Sequence, residues 1–123
     1  MALRPDLAGK RLKGINDPAI YLVDDDGSRR WIPNPPTYNN LFRDWNGVEE
    51  VIDINDIDQG PNISDGAILA KDPNLAPVYL IDNGQKRWVT SPAVMDKFYF
   101  SWNAIQSVPN IVLSFVPSGS DIT

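Results

Sequence analysis

Cysteine and histidine are both absent from the 123 residues. Without thiols there is no disulfide, no thiolate nucleophile and no zinc site of the Cys/His type. Without imidazole the usual general base of a catalytic triad is missing as well. Cationic side chains are scarce, 11 against 16 acidic ones, for a net charge of -5. That balance disfavours nucleic acid, whose backbone is gripped by clustered Lys and Arg. The one local basic run, Lys10, Arg11 and Lys13, reads as a solvated edge. No apolar run is long enough to span a bilayer. The opening MALRPDLAGK lacks the apolar centre of a signal peptide. A disulfide-free chain suits the cytosol and the extracellular space alike.

What is present is an ordinary globular composition, 42% hydrophobic and 22% charged, sized for one domain over residues 1–123. Eleven prolines and eight glycines predict many turns and short elements.

The chain is organised around a duplicated stretch. IYLVDDDGSRRWIPNPPTYNNLFRDWN, from Ile20 to Asn46, is echoed by VYLIDNGQKRWVTSPAVMDKFYFSWN, from Val78 to Asn103. The offset is 57 residues, becoming 58 upstream of the second turn, which is one residue shorter. Asn83-Gly84 reads as a two-residue type I′ hairpin turn. Asp25-Asp26-Gly27 reads as a three-residue loop with Gly27 in the left-handed region. Counting outward pairs Tyr21 with Trp31 and Leu22 with Arg30 in the first copy, and Tyr79 with Trp88 and Leu80 with Arg87 in the second. Two different turns thus predict one register.

Short strands are predicted ahead of each hairpin, Arg11 to Ile15 and Ala67 to Ala70. After each hairpin, Asn34-Pro35 and Ser91-Pro92 place a capping side chain before a proline at the first helical position. Tyr38, Leu41, Phe42 and Trp45, and then Met95, Phe98, Tyr99 and Trp102, follow the spacing of one buried helical face. Helices of about nine or ten residues are expected on that spacing. A strand then follows each helix, Val48 to Ile54 in one copy. In the other it runs from Ile105 to Val108 and on through Ile111 to Val116, with Pro109 as a break or bulge. The expected fold is α+β: two tandem ββαβ-like repeats, about 9–65 and 66–123, packed with approximate twofold symmetry.

The order Tyr-Leu-Val/Ile-Asp, Gly, Arg-Trp-Ile/Val, Pro and a short aromatic helix ending in Trp-Asn resembles tandem repeats of bacterial extracellular and cell-wall-associated proteins. The resemblance covers nearly the whole chain from Gly9. It implies a binding or surface-association module outside the cell. A second likeness is to hemopexin-type repeats, whose blades carry a Tyr…Gly…Tyr-Trp hairpin. The capped helix straight after the hairpin departs from that pattern, and two copies cannot close a four-bladed propeller.

Three features bear on function. The cross-strand pairs Tyr21 with Trp31 and Tyr79 with Trp88 are either core or an exposed platform on which sugar rings stack. Arg30 and Arg87, opposite leucines, are either paired structurally with Asp24 and Asp82 or free for anion recognition. Asp24, Asp25 and Asp26, and the linker stretch of Asp53, Asn55, Asp56 and Asp58, read as solvated turn residues that lack the spacing of a calcium loop. The expected function is therefore non-catalytic binding of a carbohydrate or cell-surface ligand, lectin-like, at two equivalent sites. Tyr21, Arg30, Trp31, Tyr79, Arg87 and Trp88 are the site residues, and no metal or cofactor is needed. The alternative is a protein-interaction or assembly module, such as a subunit of a secreted toxin or surface complex. A hydrolase would require two carboxylates on a common cleft.

Overall fold

A computed structural model describes residues 2–123 of the chain. The fold is small and mixed, with two four-stranded sheets and few helices. The first sheet contains β1 (Arg11–Gly14), β2 (Ile20–Val23), β3 (Arg29–Trp31) and β4 (Glu49–Val51), in the order β3-β2-β1-β4. The second contains β5 (Ile68–Lys71), β6 (Val78–Asp82), β7 (Gln85–Val89) and β8 (Gln106–Ser107), in the order β7-β6-β5-β8. In each sheet the hairpin is antiparallel and the last strand lies parallel to the first.

Both hairpins keep the register that their turns dictate: Tyr21 faces Trp31 and Leu22 faces Arg30, while Tyr79 faces Trp88 and Leu80 faces Arg87. Asn83 adopts φ 53° and Gly84 φ 72°, the paired positive values of a type I′ turn. Gly27 sits at φ 89°. The strand that precedes each hairpin adds to its open side, so each sheet has one strand more than a ββαβ unit.

The helix starts are local and the ends are not. Asn34 accepts from the Thr37 amide at 3.0 Å ahead of α1 (Pro35–Leu41). Ser91 does the same for the Val94 amide ahead of α2 (Pro92–Lys97). Both helices are shorter than the apolar spacing predicts. At the end of α1 the backbone turns extended at Phe42 and bridges Phe100. The Ser101 amide then donates to the Leu41 carbonyl at 2.8 Å. At the end of α2, Tyr99 enters the left-handed region at φ 57°, and the Phe100 amide reaches back to the Met95 carbonyl at 3.0 Å. That is the helix-stop geometry usually assigned to glycine.

The tail of the second half departs most from expectation. Residues 111–116 are not a strand. Pro109 ends β8 and opens α3 (Asn110–Leu113), whose Leu113 is buried while Ile111 and Phe115 face solvent. Likewise Val48 to Ile54 yields only the three residues of β4, then a helical turn at Ile54–Asp56.

The main core draws on both sheets and both longer helices, including Leu22, Tyr38, Leu80, Met95, Phe98 and Phe100. Burying each such side chain contributes about 1.5–3 kcal/mol. A smaller cluster, Leu12, Val23, Ile54 and Ile57, fills the other face of the first sheet. The outer hairpin strands are not left as open edges. Residues 58–63 run parallel to β3, with the Arg29 amide donating to the Asp58 carbonyl and the Ile63 amide to the Trp31 carbonyl, both at 2.9 Å. Residues 117–122 do the same along β7, through Lys86 to Pro117 and Ile122 to Trp88, both at 2.8 Å. Among the described residues no helix is long and apolar enough to cross a membrane.

Candidate functional site

Alternation along each hairpin sends the arginine and the tryptophan to opposite faces, and the two go to different places. Arg30 and Arg87 turn inward to where the hairpins meet. The Arg30 Nε donates to the Pro61 carbonyl at 2.9 Å, and its Nη groups reach Asp24 and Asp82. The Arg87 Nε donates to the Ser120 carbonyl at 2.9 Å, and its Nη groups reach Asp24 at 2.7 Å and Asp25 at 3.3 Å. Asp82 completes its shell with the Ser64 amide and hydroxyl. Both arginines, Asp24 and Asp82 are buried. Asp24 is therefore a network acid rather than a solvated turn acid, in contrast to the exposed Asp26.

The electrostatics follow from this geometry. Burial alone would raise Asp24, but the Arg87 hydrogen bond and charge, the Asp25 amide and Arg30 together hold it below the usual carboxylate range. Its neighbour Asp25 is pushed up by burial and by the Asp24 charge. A polar cavity of about 210 Å³ opens beside this network. Its carboxylates Asp24 and Asp82 are engaged by arginine. Among the described residues, no group of three or more acidic side chains is placed to hold a metal ion.

Arg11 corrects a further expectation. It stands in the basic run but is buried, donating to the Tyr38 hydroxyl at 2.5 Å and lying 4.2 Å from the Tyr99 ring centroid. Among the described residues, no hydrogen-bond partner meets its Nε.

The tryptophans face outward. Trp31 lines an apolar groove of about 290 Å³ with Ile20, Pro33, Pro35, Tyr38 and Trp45. Trp88 lines a second groove, about 220 Å³, with Val78, Thr90, Pro92, Met95 and Trp102. The second set stands 57 or 58 positions after the first, residue for residue. Trp45 and Trp102, expected in the core, are 45% and 47% exposed, and Trp88 is 41% exposed. Because each helix stops early, the last residue of its apolar spacing falls beyond it, on the groove wall. Trp45 is held there by stacking on Tyr38, with centroids 3.8 Å apart, and by donating from Nε1 to Asn39 at 2.9 Å.

The predicted site residues are thus divided. Trp31 and Trp88 line the grooves. Tyr21 and Tyr79, their cross-strand partners, do not. Arg29 lies over the Tyr21 ring at 4.8 Å, and the Lys86 ammonium approaches the Tyr79 ring at 5.9 Å. Arg30 and Arg87 belong to the ion network. Sequence reasoning missed Trp45 and Trp102. The prolines beside both hairpins and the Trp-Asn ending common to both copies were the available signal. The chain matches no protein-family model, no curated protein and no solved structure.

Proposed function

We propose that the protein is a non-catalytic binding module with two pseudo-equivalent sites, one at each tryptophan-walled groove, for a carbohydrate or cell-surface ligand. The supporting observation is the recurrence of one apolar groove in both halves, built from Trp31 and Trp45 and again from Trp88 and Trp102. Large aromatic rings kept partly in water at matched positions stabilise little by themselves, yet they offer flat apolar faces to a ring-shaped ligand. Shared strand order, matched grooves and reciprocal arginine contacts between the hairpins support two copies of one unit about a pseudo-twofold axis. Two sites on one body would raise avidity for a repetitive surface.

One observation favours a second reading, a protein-interaction module. Neither groove is lined by a carboxylate, and the side-chain oxygens of Asn34 and Ser91 already accept from helix-cap amides. Sugar hydroxyls need acceptors, and a peptide segment can be less demanding. A glycan array probed with the protein tests the first reading, with Trp45→Ala and Trp102→Ala as controls. Saturable glycan signals that weaken in either variant would uphold the carbohydrate reading. A blank array from folded protein rules out carbohydrate.

A further inference from the structure

We infer that each groove takes a proline-rich peptide in the extended polyproline II conformation, and that the first groove prefers basic residues beside the prolines. This rests on the second reading, the grooves as protein-interaction sites, and specifies their ligand.

The donors and acceptors on the groove walls select the ligand. Among the described residues, only the Trp45 indole N–H has a protein acceptor. Trp31, Trp88 and Trp102, all lining residues, keep theirs free for a ligand carbonyl. Among the described residues, the side-chain acceptors of the first groove are engaged, Asn34 Oδ1 by Thr37 and the Tyr38 hydroxyl by Arg11, and the second groove keeps only the hydroxyls of Thr90 and Ser91. The site therefore offers donors and flat carbon surface, and asks for a ligand with carbonyls and few N–H groups. A polyproline II segment has that character: its backbone makes no internal hydrogen bond, and its prolines have no N–H. Its rings are apolar and rigid, so little conformational freedom is lost when they stack on indoles. A saccharide brings several hydroxyl donors per ring, which these walls leave unmatched.

Charge complementarity selects the flanks. One carboxylate, Asp65, is bonded to the lining of the first groove, and two more are sequence neighbours of lining residues. Asp17 precedes the lining residue Pro18, Asp44 precedes Trp45, and Asp65 accepts from the Asn34 amide group at 2.9 Å. Asp44 and Asp65 are exposed. At the positions matched to Asp17 and Asp44, the second groove has Leu75 and Ser101. Arginine or lysine beside the prolines therefore gains at the first groove and not at the second.

The test follows the four indole N–H resonances of the whole ¹⁵N-labelled chain. The ligands are a polyproline peptide of about ten residues with arginine at each end, and separately cellotriose, chitotriose and maltotriose. The peptide is expected to shift the indole resonances of both grooves saturably, and the saccharides to shift none. At about 1 M salt, where screening shortens to about 3 Å, affinity at the first groove drops about threefold or more and that at the second is unchanged. Trp102→Ala removes the response of Trp88 and leaves those of Trp31 and Trp45, which report at once that the variant is folded. Trp45→Phe weakens only the first groove. If a saccharide moves these resonances and the peptide does not, the peptide inference is overturned while the binding-module reading stands. If neither ligand moves them, both are overturned.

Discussion

Arg87 reaches from the second hairpin to the Asp24 carboxylate of the first, Nη1 to Oδ2 at 2.7 Å, and Arg30 makes the return contact to Asp82. Each half of the chain thus supplies the counter-ion buried in the other. Asp24 also accepts from Arg30 at 3.2 Å, so one carboxylate serves two guanidinium groups. Asp24→Ala would leave both partly unpaired in a buried site. The expected loss is about 3–5 kcal/mol, read as a lowered urea midpoint. Glu50→Ala, which removes only the exposed 3.8 Å contact to Lys13, should cost about 0.5 kcal/mol or less.

Adjacent acids in the same turn should respond to pH with opposite sign. Asp24 is held below its unfolded value, so its contribution is complete above about pH 4 and is lost as pH falls through the folded value. Asp25 is raised by burial and by the Asp24 charge, so its ionisation opposes folding, and that cost grows as pH rises from about 4 through its folded value. Asp24→Asn should therefore flatten the acid limb of the stability–pH curve. Asp25→Asn should stabilise the protein at neutral pH and lose that advantage in acid. Urea midpoints measured from pH 2 to 8 separate the two. Parallel curves for the two variants would contradict the assignment.

Two turn glycines share a left-handed backbone and should differ in cost. Around Gly84, at φ 72°, a new Cβ would meet nothing within 4 Å. Gly84→Ala should cost only the backbone preference, about 1–2 kcal/mol. At Gly27, φ 89°, a Cβ would lie 2.4 Å from the Pro5 nitrogen and 2.5 Å from that of Arg4. There the N-terminal segment crosses the turn, with the Arg4 amide donating to the Gly27 carbonyl at 2.9 Å. Gly27→Ala should destabilise by more than Gly84→Ala and lift that segment off. Thermal melts compare the costs, and faster proteolytic cleavage before Gly9 reports the lifting.

How far the sequence led depended on how local each determinant was. Turn chemistry and strand alternation act within a few residues, and both hairpin registers were readable from Asn83-Gly84 and from Gly27. The helix starts at Asn34 and Ser91 were readable for the same reason. The helix ends were not, because Phe42 leaves α1 to bridge Phe100, a partner far along the chain. That one tertiary contact moved Trp45 from the predicted core to the groove wall. Likewise Asp24 was foreseen as the partner of Arg30 within its own hairpin, but the crossed contacts of Arg30 with Asp82 and of Arg87 with Asp24 were invisible to local reasoning. The run from Ile111 to Val116, apolar except for Ser114, reads as a strand. It folds as α3 and a following turn, with the Lys86 ammonium satisfying the Leu113 and Val116 carbonyls at 2.9 Å each.

Arg11 offers a test of whether buried charge is tolerated here or needed. The residue matched to it in the second half is Leu69, fully buried against the same core, and the residue matched to Tyr38 is Met95. Among the described residues Arg11 has no carboxylate within ion-pair distance, and its Nε is buried without a partner. What it gains is the bond to the Tyr38 hydroxyl, a 3.3 Å contact to the Asp44 carbonyl and the Tyr99 ring face. The Tyr38 hydroxyl does not depend on it, because that group also donates to the Asp44 carbonyl at 2.7 Å. Arg11→Leu therefore removes a desolvated cation and leaves no orphaned partner, and replacing such groups with apolar ones is often stabilising. The expected gain is about 1 kcal/mol, seen as a higher urea midpoint with an unchanged slope. A loss of similar size would mean that the cation–aromatic contact with Tyr99 outweighs the desolvation, and that Arg11 holds the first groove's Tyr38 and Trp45 in place.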